Sequence, residues 1–149
     1  MASLVNLFVE WDDRYRVGVP AIDRQHRYLI AIIRELQEAM AAGTTTEVLA
    51  TLIRRLVTYT HYHFAYEEGL YGEKEYSGIR EHRKLHKHMA EQVSRLEQSV
   101  KAGKLRVGAP VVAFLQRWLT EHILGEDLEA FHEVLLKESD PPMEEMPKS

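Results

Sequence analysis

The stretch TTTEVLATLIRRLVTYTHYHFAYEEGLYG, residues 44–72, decides the fold class. Leu49, Leu52, Leu56, Tyr59, His63, Glu67 and Leu70 recur at steps of three and four, the period of one helix face and not of a strand. A capping box, Thr44-Thr45-Thr46-Glu47, opens the segment, and Gly69 and Gly72 punctuate its end. The face is apolar for most of its length and turns polar at His63 and Glu67, positions that by their period point into the core.

The same period runs on either side. Ile22, His26, Leu29, Ile33, Leu36 and Met40 predict a first helix, with Asp23 near its N-cap and Gly43 at its close. After a loop over Gly72 to Gly78, a third helix carries Ile79, His82, His86, Met89, Val93, Leu96 and Val100 and stops at Gly103. The fourth starts near Gly108 with Pro110 in its first turn, carries Val111, Leu115, Trp118 and His122, and runs to about Leu136, ahead of Pro141, Pro142 and Pro147. Residues 1–20 read as an extended arm packed through Trp11, Tyr15, Val17 and Val19, and residues 138–149 as an acidic, Pro-rich tail. Short connections between four one-faced helices predict an all-α, up-down-up-down four-helix bundle over residues 1–137, arm included.

Composition narrows the function. A chain of 149 residues, 45% hydrophobic, fits one domain. With 19 Lys and Arg against 23 Asp and Glu, the charge of -4 argues against nucleic acid and anionic membrane as partners. The absence of Cys removes disulfides, thiolate metal sites, iron–sulfur clusters and cysteine nucleophiles. Leu4 to Val9 is broken by Asn6, follows no basic residue and is too short for a signal h-region or a span, so a soluble, cytoplasmic monomer is expected. Histidine, at 8 residues, outnumbers Phe at 4 and Tyr at 7.

His26, His63, Glu67, His82, His86 and His122 all interrupt apolar stripes. A lone inward His is best read as a core residue satisfied by a neighbour. Burying the whole set unsatisfied would cost about 2–7 kcal/mol per polar group, comparable to a small domain's stability, so a common ligand is expected. His63 with Glu67, and His82 with His86, are four apart, about 40° around a helix and about 6 Å along it, which suits neighbouring ligands of one metal or of adjacent metals. His61 and His88 lie two residues from a ligand and should face outward, and His132 reads as surface.

Four segments, Val17 to His26 (VGVPAIDRQH), His63 to Glu68 (HFAYEE), His82 to His86 (HRKLH) and Trp118 to Asp127 (WLTEHILGED), resemble the hemerythrins, most closely the single-domain bacteriohemerythrins. The resemblance implies a pair of iron ions, oxo- or hydroxo-bridged. His82, His86 and His122 would hold one ion, His26 and His63 the other, and Glu67 and Asp127 would bridge them. It further implies a vacant position on the two-histidine iron, reversible binding of dioxygen, and a role as oxygen carrier, store or delivery protein, not an enzyme. The chain departs from the pattern at Ser77, where many relatives have Pro, and at Leu128, where Lys is usual.

Imidazole and carboxylate ligands also suit manganese, zinc or copper, so iron rests on the resemblance. Phe64, Trp118, Leu119 and Ile123 could supply an apolar wall around the cofactor, although plain core packing explains each equally well. The enzyme alternative, a ferritin-like di-iron oxidase, calls for repeated Glu-x-x-His pairs, and Glu129 to His132 is the single match. Sensing of oxygen, nitric oxide or iron is the other alternative, and a fused signalling segment would favour it. In the fourth helix, periodicity and resemblance disagree. Glu126 is four residues from His122 and faces the same way, whereas Asp127 is five away, about 140° around an ideal helix. One π-type turn, eased by Gly125, would bring Asp127 onto the ligand face and turn Glu126 away.

Overall fold

A computed structural model describes residues 9–138. Four helical rods make up the molecule: α1 (Pro20–Ala41), α2 (Thr46–Glu73), α3 (Ile79–Lys101), and a fourth rod built from α4 (Ala109–His122), a π-helical turn (Ile123–Asp127) and α5 (Leu128–Glu138). Backbone angles stay helical through both junctions of that rod, so it is continuous. α1 packs on α2 and α4, and α2 on α3, in the antiparallel order that short connections enforce. No strand occurs among the described residues, and none of their helices is long and apolar enough to cross a membrane.

Local chemistry places the ends. The N-cap of α1 lies four residues earlier than the sequence signal at Asp23 suggests: Val19 is the N-cap and Pro20 fills the first turn, where its missing N–H costs nothing. Asp23 therefore lies inside the first turn, where its carboxylate accepts the amides of Val17 (2.8 Å) and Gly18 (3.3 Å) and ties the arm to the helix. At α2 the cap is Thr45, accepting from the Val48 amide, while the Thr44 hydroxyl donates to the Ala39 carbonyl at the end of α1. Threonines that read as one capping box thus serve two helix ends. Gly43 and Gly103 end α1 and α3 in the left-handed region, at φ +72° and +74°, which favours glycine.

The arm from residue 9 onward is packed, with one 3-10 turn at Asp13–Tyr15. Val9 bonds to the Gln37 side chain, Arg34 pairs with Glu10, and the Arg27 guanidinium covers Trp11. The expected arm over residues 1–8, and all of the expected tail except Glu138, lie outside the described residues. Ser77 and Leu128, the two departures from the family pattern, have packing roles. The amide and hydroxyl of Ser77 both donate to Glu133, fastening the α2–α3 loop to α5, and Leu128 packs on an apolar cluster.

Two apolar clusters fill the bundle. The larger runs from Val9 and Leu29 through Leu56, Val93, Leu115 and Ile123, and the smaller gathers Val17, Ile22, Tyr71, Ala130, Phe131 and Val134. Between them, on every rod, falls the layer of buried polar groups. The π turn is what places the fourth rod's contribution: Asp127 is fully buried and Glu126 exposed. A Cβ on Gly125 would meet nothing within 4 Å, so glycine is not demanded there by space. Gly125→Ala is expected to keep the π turn and to raise stability by up to about 1 kcal/mol through helix propensity, read as a later urea midpoint. A destabilised variant would show instead that the turn depends on glycine's flexibility.

Candidate metal centre

Each rod contributes to one buried layer: His26 from α1, His63 and Glu67 from α2, His82 and His86 from α3, and His122 and Asp127 from the fourth rod. All seven are 4% exposed or less. Spacing explains the pairs on α2 and α3, because residues four apart share a face. The five-residue step from His122 to Asp127 works only because the π turn closes it, bringing the His122 Nε2 to 3.2 Å from the Asp127 Oδ1.

The two carboxylates are divided between two sets of rings. Glu67 turns Oε2 toward His26 (3.1 Å) and His63 (3.0 Å), and Oε1 toward His86 (3.2 Å). Asp127 turns Oδ2 toward His26 (3.1 Å), and Oδ1 toward His82 (3.1 Å) and His122 (3.2 Å). Two groups of donor atoms result, each within 4.8 Å of one another: Glu67, His82, His86, His122 and Asp127 in one, and His26, His63, Glu67 and Asp127 in the other. Both carboxylates belong to both groups.

Hydrogen bonding alone does not satisfy this layer. Glu67 Oε1 and Asp127 Oδ2 have imidazole nitrogens close by but no aligned hydrogen bond. The Nε2 atoms of His86 and His122 face each other at 3.2 Å, a pairing in which only one can donate. Donors that converge at short range without pairing cleanly are what a site for cations leaves when the ions are taken out. The chemistry agrees, since neutral imidazole and carboxylate are ligands for divalent first-row metals.

Electrostatics describe the same layer as protons would balance it. Burial works against ionising Glu67 and Asp127, yet the facing histidines outweigh it and hold both carboxyls well below their ordinary range. For His26, burial opposes the charged ring, but the facing carboxylates of Asp127 and Glu67 raise its pKa to about 9. His122 is carried to about 10 in the same way, chiefly by Asp127. Tyr71, whose ionisation burial and the two carboxylates push far up, stays a hydroxyl donor to Asp127 Oδ1 at 3.2 Å.

Behind the rings stand residues to which the sequence pattern gave no such role. Gln25 Oε1 lies 2.7 Å from His63 Nδ1, and Glu68 Oε2 2.7 Å from His86 Nδ1. Glu126 is turned away from the Nε2 atoms, yet it is not idle: its Oε1 is 3.0 Å from His122 Nδ1. Tyr71, four residues beyond Glu67, and Glu126, four beyond His122, had a periodic signal. The others sit beside a ligand in sequence and reach a ring from the side. Phe64 stacks on His86, with ring centroids 3.8 Å apart and planes 3° from parallel. Leu119 and Ile123 are buried in the larger cluster, as is Trp118, whose ring N–H donates to the Met89 carbonyl. His61, His88 and His132 are exposed and lie outside both donor groups.

Comparison with known proteins places the chain in a family. A family model described as the hemerythrin HHE cation binding domain matches residues 17–134. A bacteriohemerythrin of Pseudomonas aeruginosa is 35% identical over 127 residues, 85% of this chain and 78% of that protein. A myohemerythrin of Riftia pachyptila is 32% identical over 117 residues, 78% of this chain and 86% of its own length. A crystal structure of wild-type hemerythrin superposes with a TM-score of 0.75 at 23% identity, covering 80% of this chain and 92% of that one, a likeness of fold. The family model spans most of the chain and the relatives exceed 30% identity along it, so this protein belongs to the hemerythrin family.

Proposed function

We propose that the buried layer holds two iron ions and that the pair binds dioxygen reversibly, making the protein an oxygen carrier or store and not an enzyme. One observation carries the reading: each bridging carboxylate offers one oxygen to a three-histidine group and the other to a two-histidine group. Counting one atom per residue, the first group has five protein donors and the second four. An ion held by His26 and His63 would therefore have fewer protein ligands, leaving that side the one on which a small molecule could bind. A ferrous pair supplies the two electrons that dioxygen takes up on binding and returns on release.

The chain's own groups make that exchange reversible. Five neutral imidazoles and two carboxylates are a nitrogen-rich set, which keeps the ferrous state accessible where a carboxylate-rich set would favour higher oxidation states. The Tyr71 hydroxyl holds Asp127 by a hydrogen bond, and Phe64 pins the plane of His86. Apolar clusters above and below the layer keep bulk water from the ions. The resemblance of the ligand-bearing segments to the hemerythrins favours iron over zinc and manganese.

The direct test is metal analysis followed by anaerobic reduction and oxygen titration. Two iron ions per chain are expected, with one dioxygen bound per pair, seen as a visible absorption change that reverses when oxygen is removed. Steady consumption of reductant would move the protein into the oxidase class, and absence of bound iron would sink the proposal.

Removing metal gives a second expectation, with a sign fixed by the shifted groups. Ligation needs neutral rings, so metal uptake must displace the protons held by His26 and His122. Their folded pKa values, about 9 and about 10, lie above the ordinary 6.5, so in the stripped protein their contribution to stability is complete below about pH 6.5 and is lost as pH rises through 9 and 10. Glu67 and Asp127 are shifted down, so theirs is present above about pH 4 and lost as pH falls further. The stripped protein should therefore melt highest between about pH 4.5 and 6.5. The gap between loaded and stripped melting temperatures should widen from pH 6 to pH 10, and a constant gap would show that these protons do not compete with metal.

A further inference from the structure

The groups behind the rings are not alike on the two sides of the layer. On the three-histidine side, two rings are backed by carboxylates: His86 Nδ1 by Glu68 at 2.7 Å and His122 Nδ1 by Glu126 at 3.0 Å. On the two-histidine side, His63 is backed by the neutral amide oxygen of Gln25, and His26 Nδ1 is buried with no hydrogen-bond partner. A ring that gives its Nε2 to a cation carries its proton on Nδ1, and a carboxylate accepting that proton makes the ring a stronger donor than an amide does. Both carboxylates reach solvent in part, with side chains 26% and 49% exposed.

We infer that Glu68 and Glu126 are positioning residues that make the three-histidine half of the centre the more electron-rich, and hence the more readily oxidised, half, and that Arg83 moderates Glu68. The Arg83 Nε lies 3.8 Å from Glu68 Oε1, the oxygen that His86 does not use. A cation there withdraws part of the negative charge that Glu68 offers the ring. The two halves thus differ in electron supply as well as in ligand number. The half short of a protein ligand is the one with the weaker donors, so the better electron source stands next to the position where a ligand binds. The inference rests on the di-iron reading and assigns each ion a different part in it.

Opposite signs test it. In iron-loaded protein followed by redox titration, Glu68→Gln and Glu126→Gln should each raise the lower of the two one-electron midpoints. The ferric-to-ferrous ratio of that half at fixed potential should fall about tenfold, equivalent to about 59 mV. Arg83→Gln should move the same midpoint the other way, a reversal that a merely structural role would not produce. Glutamine can still accept the Nδ1 proton, and Arg83 is exposed, so all three variants are expected to fold. Competition against a chromophoric chelator with zinc alone checks donor strength without iron: Glu68→Gln should lower affinity about tenfold and Arg83→Gln should not. Unshifted midpoints, shifts of one sign in all three variants, or unchanged zinc affinity in Glu68→Gln would overturn the inference. Failure of the unaltered chain to load iron would instead overturn the di-iron reading and this inference with it.

Discussion

Two carboxylates, Glu67 and Asp127, lie fully buried at the middle of a helical bundle, and the rest of the molecule is arranged around that fact. A buried carboxylate costs several kcal/mol unless positive charge and hydrogen bonds compensate it. Here two sit in one layer and repel each other, so compensation has to come from every side. Five imidazoles from the four rods provide it, with protons or metal ions as the positive charge between. Helix register follows from this, since each rod must bring its ring or acid to the same height while Ile22, Tyr71 and Phe131 pack below and Leu29, Leu56 and Ile123 above.

That arrangement couples stability to occupancy. Apolar clusters pack on either side, but the layer between them is satisfied only when something positive fills it. Protons on His26 and His122 balance the two acids in kind, which is why metal and protons compete for one set of atoms. The same design divides labour along each ring. Nε2 atoms face the shared centre, while the Nδ1 atoms of His63, His86 and His122 face the buried Gln25 and the part-exposed Glu68 and Glu126 respectively. Charge at the protein's edge thereby reaches the centre through one ring, without any polar channel through the core.

Much of this was legible in the sequence because helices are periodic. Stripes of apolar residues at three and four gave the number of rods and their approximate ends, and the polar intrusions at His26, His63, Glu67, His82, His86 and His122 marked a common layer. His61 and His88 could be set aside by the same angle arithmetic, and both are exposed. Helix starts were less legible, because Asp23 and Thr44 are good capping residues used for other bonds. Propensity says that such side chains bind backbone amides or carbonyls, not which ones.

Asp127 marks the boundary. Local periodicity names Glu126, and only the resemblance to a family named its neighbour; a π turn then reconciles the two, with Asp127 inward and Glu126 behind His122. The sequence by itself determined the helices, the layer and most of the residues that face it, since those depend on spacing along one chain. Which oxygen of Glu67 and Asp127 serves which group was decided by the tertiary structure, as were the backing of rings by Glu68 and Gln25 and the closing of the π turn. Those depend on where four rods come to rest against one another, a packing of two apolar clusters that no single rod's periodicity contains.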